Sequence, residues 1–156
     1  PPSFSAPAMY TVAFIRSVRS TMLHSLESEA FSGPVLSTSR QLLDYLRADM
    51  AHAREESFRI LYLNAGNMLL RDETIEGSVA EAPVYPREII RRALELGATA
   101  LILVHNHPSG ELEPSRHDIK VTADIVLAAN VFGIRVHDHV LIARGGHTSF
   151  RARGFL

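Results

Sequence analysis

Two histidines spaced one residue apart, His105 and His107, followed by Asp118, have the residue types and spacing that suit a transition metal. They lie in His105-Asn106-His107-Pro108-Ser109-Gly110 and then Pro114-Ser115-Arg116-His117-Asp118. Where a chain leaves a strand, residues i and i+2 project to the same side, so the two imidazoles can converge on one point. Pro108 biases His107 toward extended backbone, which carries that alternation through the second histidine. Gly110 and Pro114 fold the loop back. Asp118 falls in the first turn of the following helix, where the helix dipole favours a carboxylate. Two imidazoles and one carboxylate leave a fourth tetrahedral position for water, the arrangement of a catalytic zinc site. Taken singly, the histidines read equally well as solvated loop residues and Asp118 as an acid at a helix start. The buried strand before them and the Pro-Ser helix start after them favour the metal reading.

Composition narrows the chemistry. The chain has no cysteine, so thiolate nucleophiles and sulfur-ligated zinc are excluded, and any metal must use His and carboxylates. A zinc deaminase is disfavoured because its Pro-Cys-x-x-Cys signature is absent. A two-metal phosphoesterase needs a further set of His and Asp ligands, and none stands out. The 156 residues suit one domain with a helical appendage, and 46% hydrophobic with 21% charged residues is ordinary for a soluble globular protein. A net charge of -1 argues against an obligate electrostatic grip on nucleic acid. No apolar run approaches the roughly 18 residues that span a bilayer, and no signal segment opens the chain. The expected location is cytoplasmic, without membrane contact.

The elements that must position these residues follow from periodicity and punctuation. Residues 1–8, rich in Pro, Ser and Ala, are expected to be poorly ordered. Met9 to Ala30 reads as an amphipathic helix with Val12, Ile15, Met22, Leu23 and Leu26 on its apolar side, ended by Gly33-Pro34. Ser39 suits an N-cap for a second helix carrying Leu42, Leu43 and Leu46. Phe58, Ile60 and Tyr62 alternate with Arg59, Leu61 and Leu63 as in a strand; Asn64 to Asn67 turns, and Met68 to Ile75 returns. Pro86 opens a helix to Leu96 that Gly97 closes. Ala98 to Val104 is a continuous apolar run, as in a strand buried on both faces. Ser115 starts a helix to Asn130, Ile134 to Ala143 forms a strand, and Gly145-Gly146 turns toward a short strand at Thr148–Phe150. This order predicts an α/β domain with a mixed sheet over residues 51–156 and an N-terminal helical extension over residues 1–50. The histidine loop then lies at the C-terminal end of the most buried strand, where open α/β sheets place ligands.

The His105-Asn106-His107-Pro108-Ser109-Gly110 stretch with Pro114-Ser115-x-x-Asp118 resembles the JAMM (MPN-plus) motif in the form carried by the RadC family. The likeness extends through Tyr85-Pro86-Arg87-Glu88 and Ala93-Leu94 before the motif and Asp138-His139 after it, over roughly residue 54 to the C-terminus. The resemblance implies a cytidine-deaminase-like mixed sheet flanked by helices. It implies one zinc ion on His105, His107 and Asp118, and Ser115 steadying a tetrahedral intermediate. A glutamate near the start of the first core strand acts as general base in such proteins; that is Glu55 or Glu56, and spacing to Leu63-Asn64 selects Glu56. Asn64 replaces the family's usual Asp at a turn position. The family's usual N-terminal helix-hairpin-helix module has no counterpart here, and the Met9–Ala30 helix reads as a remnant of its connection.

The implied activity is zinc-dependent hydrolysis of a peptide or isopeptide bond in a peptide or protein substrate, with weak or absent DNA binding. The alternatives are a metal-dependent nuclease or phosphoesterase linked to DNA repair, and a non-catalytic metal-containing binding module. Among the other histidines, His24 and His52 read as surface residues and His117 as pointing to another helical face. His137 and His139 read as packing residues or as an outer partner of a ligand histidine.

Overall fold

The apolar run that precedes His105 forms the central strand of a five-stranded sheet in the computed structural model, which describes residues 6–37, 39–76 and 84–156. In chain order the elements are α1 (Ala6–Ala30), α2 (Ser39–Met50), β1 (Ser57–Leu63), β2 (Leu69–Glu76), α3 (Pro86–Leu96), β3 (Ala100–Asn106), α4 (Arg116–Val131), β4 (Arg135–Ala143) and β5 (Gly146–Ser149). The strand order is β2-β1-β3-β4-β5. Only β3 and β4 are parallel, joined by α4 as a crossover; the other pairs are antiparallel. The sheet is therefore mixed and open, and the chain is an α/β protein.

Side-chain alternation sorts the sheet into two faces. Phe58, Ile60, Tyr62, Leu101 and Leu103 pack with Ile89, Ile90 and Ala93 of α3 and Val121, Ile125 and Ala129 of α4. Leu61, Leu63, Ile102, Val104, Val140 and Ile142 pack with Leu42, Tyr45, Leu46 and Met50 of α2. Every residue of β3 is buried. Each fully buried Leu, Ile or Val side chain contributes about 1.5–3 kcal/mol, so these two layers form a core without help from a metal.

Local signals fix the helices that flank the site. Pro86 opens α3, and Gly97 at φ 67° closes it in the left-handed conformation that suits glycine. Ser115 caps α4 through a capping box with Asp118. On the α2 side, Arg59 donates to Asp72 Oδ1 (2.6 Å), Asp49 Oδ2 (2.9 Å) and the Tyr45 hydroxyl (2.6 Å), tying α2, β1 and β2 together.

One irregularity matters for the site. Leu101 pairs with Val136, but Ile102 pairs with Asp138, so His137 is an extra residue in β4. This bulge reverses the alternation beyond it. His139 pairs with Leu103 and faces α4, whereas Asp138 pairs with Ile102 on the α2 side.

The N-terminal helix departs from expectation. Its apolar side does not face a core: Val12, Ile15 and Met22 are exposed, together with Met9, Tyr10, Phe14 and Val18. Only its end, at Leu26 and Ala30, reaches the cluster built on α2. With 12 residues against 25, α2 is too short to cover the whole of α1. Of residues 1–8, expected to lack order, 1–5 lie outside the described residues and 6–8 open α1. Among the described residues no helix is long and apolar enough to cross a membrane.

Candidate metal centre

The C-terminal end of β3 and the first turn of α4 bring the sequence-selected ligands to one point. His105 ends the α4-facing row of β3, and His107 follows as the chain leaves the strand, its N–H held by the Ile142 carbonyl at 2.9 Å. Their Nε2 atoms lie 3.1 Å apart. Asp118 Oδ1 is 3.5 Å from His105 Nε2, and Asp118 Oδ2 is 3.5 Å from His107 Nε2. A tetrahedral zinc with bonds of about 2.0–2.1 Å separates its ligand atoms by about 3.3–3.4 Å. The three side chains thus stand close enough to share one ion, with His105 facing one Asp118 oxygen and His107 the other. Glu56 joins them: one ligand atom from each of Glu56, His105, His107 and Asp118 lies within 4.8 Å of the others. The donor set, nitrogen and oxygen without sulfur, suits zinc.

Hydrogen bonds prepare these groups. His107 Nδ1 lies 3.1 Å from the Glu111 carbonyl, which can only accept, so Nδ1 carries the proton and Nε2 is bare toward the cluster. Asp118 Oδ2 accepts the Ser115 N–H at 2.7 Å, and the Asp118 N–H donates to Ser115 Oγ at 3.1 Å. Burial raises the Asp118 pKa, but the adjacent His105 and His107 rings and the Ser115 N–H outweigh it and hold the carboxyl well below the usual range. Asp118 in turn raises the pKa of His107 against partial desolvation, with the Glu111 carbonyl and Glu56 adding to the effect.

The surroundings separate the two candidate glutamates. Glu56 is half-buried and lines a cavity of about 750 Å³ with His107, Ser115 and Asp118; Glu55 does not line it. Ser115 Oγ accepts from Asp118, and its own O–H is a donor at the cavity wall. The exposed His117 lies outside the donor group but lines the cavity mouth. A second cavity, about 660 Å³ and lined by Leu42, Leu43 and Val140, contains none of the donors.

Three residues of the arrangement went unnoticed or unresolved in the sequence. Asn106, buried between the two histidines, bonds to Glu55 and Ser57. His139 is fully buried, with Nε2 2.8 Å from His105 Nδ1 and Nδ1 2.6 Å from Thr122 Oγ1. It packs against Phe150 and Phe58, so it is at once a packing residue and a partner of a ligand histidine. His137 bonds instead to Asn67. Only the Asp118-to-Thr122 spacing of one helical turn hints at Thr122. His24 and His52 are exposed.

A family model described as RadC-like JAB domain matches residues 36–155. A UPF0758 protein of Rhodobacter capsulatus is 51% identical over 130 residues, covering 83% of this chain and 61% of that protein. A UPF0758 protein of Ruegeria pomeroyi is 50% identical over 123 residues, covering 78% of this chain and 55% of the relative. The chain thus spans between 55% and 61% of the length of these two relatives.

Proposed function

The chain belongs to the family of RadC-like JAB domains, and on that premise we propose that it is a zinc-dependent hydrolase of peptide or isopeptide bonds. The observation that carries this reading is the convergence of Glu56 with His105, His107 and Asp118 within 4.8 Å. Three of these suffice as ligands, which leaves a second carboxylate beside the metal position.

When bound, zinc would act as a Lewis acid and lower the pKa of a coordinated water from 15.7 to about 7. His105, His107 and Asp118 hold it. The Glu56 carboxylate takes the proton of the attacking water and returns it to the leaving amine. The Ser115 hydroxyl donates to the oxyanion that develops on the scissile carbonyl, from a position set by the capping box.

The cavity lining favours an amide over a phosphodiester. Its charged groups include Glu56, Glu111, Glu113 and Asp118, and no Lys or Arg among the described residues lines it. Residues 77–83 contain no Lys or Arg either. Glu113 is paired with Arg153 at 2.9 Å, but a phosphate would still meet the carboxylates of Glu56, Glu111 and Asp118. A cationic leaving group, such as a lysyl amine, would meet complementary charge.

The test is a panel of peptide, isopeptide and nucleic-acid substrates given to the zinc-loaded protein, with and without chelator. Amide cleavage that chelator abolishes and zinc restores is expected, with nucleic acid left intact. Phosphodiester cleavage without amide cleavage would replace this reading with the nuclease one.

A further inference from the structure

We propose that His139 is a positioning residue that locks His105 in the tautomer able to bind metal and thereby sets the affinity of the site. The inference rests on the metal-centre reading above and extends it to residues outside the ligand set.

Proton directions are fixed along one chain of contacts. Thr122 Oγ1 lies 2.6 Å from the Asp118 carbonyl, which can only accept, so the hydroxyl proton points there. The Thr122 oxygen then offers only lone pairs to His139 Nδ1, 2.6 Å away, so that nitrogen carries a proton. A neutral imidazole has one N–H, which leaves His139 Nε2 bare. It faces His105 Nδ1 at 2.8 Å, and one of the two must supply a proton; His105 Nδ1 does. The single N–H of His105 is thereby used away from the cluster, and its Nε2 lone pair faces Asp118 and His107.

Its apolar surroundings keep His139 neutral. It is fully buried with the rings of Phe58 and Phe150 against it, at centroid distances of 5.3 and 4.4 Å. The chain of bonds also closes on itself. It leaves the cluster at His105 and ends at the backbone of Asp118, so the ligand carboxylate and the last acceptor belong to one residue. His107 differs, because its Nδ1–H is fixed by a backbone carbonyl. His105 is the ligand whose tautomer depends on side chains, and the β4 bulge is what turns His139 toward it.

The experiment measures zinc dissociation constants by competition with a chromophoric chelator for wild type, His139→Phe and His139→Gln. Phe keeps an aromatic ring but offers no acceptor, whereas the Gln amide oxygen can accept from His105 Nδ1. The expected results are about 10–100-fold weaker zinc binding for His139→Phe and recovery to within about threefold of wild type for His139→Gln. Equal affinity in wild type and His139→Phe overturns the proposal. Failure of wild type to bind zinc overturns the metal-centre reading itself. A second measurement does not depend on a variant folding: long-range ¹H–¹⁵N spectra of the metal-free wild type. Protons on Nδ1 of both His105 and His139 are expected, and a proton on His105 Nε2 overturns the proposal.

Discussion

Asn106 grips the backbone on both sides of Glu56. Its Nδ2 donates to the Glu55 carbonyl at 3.0 Å, and its Oδ1 accepts from the Ser57 N–H at 2.9 Å and the Ser57 hydroxyl at 2.8 Å. Asn106 is itself buried and sits between the two ligand histidines. One strand end therefore carries two proposed metal ligands and the clamp on the backbone around Glu56. Replacing Asn106 by Ala should leave zinc content unchanged, because Asn106 is not a ligand. It should cost about 1–3 kcal/mol of stability through the unpaired Ser57 and Glu55 groups. The rate should fall by up to about 10²-fold, the cost of a misplacement near 1 Å. Zinc analysis and a comparison of kcat with KM check this, and an unchanged kcat would remove Asn106 from any positioning role.

Glu56→Gln separates a general base from a fourth ligand. Gln keeps the shape but cannot accept the proton, so hydrolysis should fall by about 10²–10⁴-fold while zinc content and thermal stability stay near wild type. Glu55→Gln is the control and should change little, since Glu55 is exposed and does not line the cavity. Zinc loss in Glu56→Gln would make Glu56 a ligand and the site a closed, structural one.

Ser115 has two roles that one substitution would confuse. Ser115→Ala removes both the cap of α4 and the proposed donor, and should cost about 0.5–2 kcal/mol of stability. Ser115→Gly should cost only a few tenths, roughly, because Gly is tolerated at an N-cap. Both should retain zinc and lose about 10²–10³-fold in kcat, the usual effect of one oxyanion donor. If the rate follows the stability instead, with Gly close to wild type, the hydroxyl has no part in the chemistry.

Arg59 tests what holds the α2 layer. Arg59→Met strands Asp72, whose Oδ1 loses its 2.6 Å partner in a mostly buried position. Breaking a buried pair from one side costs about 3–5 kcal/mol, and the lower end is expected because Asp49, the other partner, is a third exposed. Urea unfolding measures this. A change below about 1 kcal/mol, the range of surface pairs, would mean that the network carries little of the fold.

Much of this was legible because the signals are local. Pro86, Gly97 and Ser115 mark helix ends through their own backbone chemistry; α3 begins and ends, and α4 begins, within a residue of those marks. The convergence of His105, His107 and Asp118 was legible for the same reason: alternation at a strand end and the first turn of a helix fix where they point. What the sequence left open depended on long-range packing. Glu55 and Glu56 differ because Asn106, fifty residues on, holds the backbone around Glu56. His137 and His139 share one alternation, and only the bulge in β4 decides which of them faces the ligands. The α1 pattern signalled a helix correctly but carried no information about what covers its apolar side.

The central claim is one metal held by His105, His107 and Asp118, and zinc content measures it most directly. Protein loaded with zinc, desalted and analysed for metal should contain about one zinc per chain in wild type and almost none in His107→Ala. The metal-free protein should stay folded by circular dichroism, because both core layers are built from apolar side chains, unlike a zinc finger. One zinc per chain in wild type, lost in His107→Ala, is the predicted result. No zinc in wild type, or undiminished zinc in His107→Ala, would contradict the account.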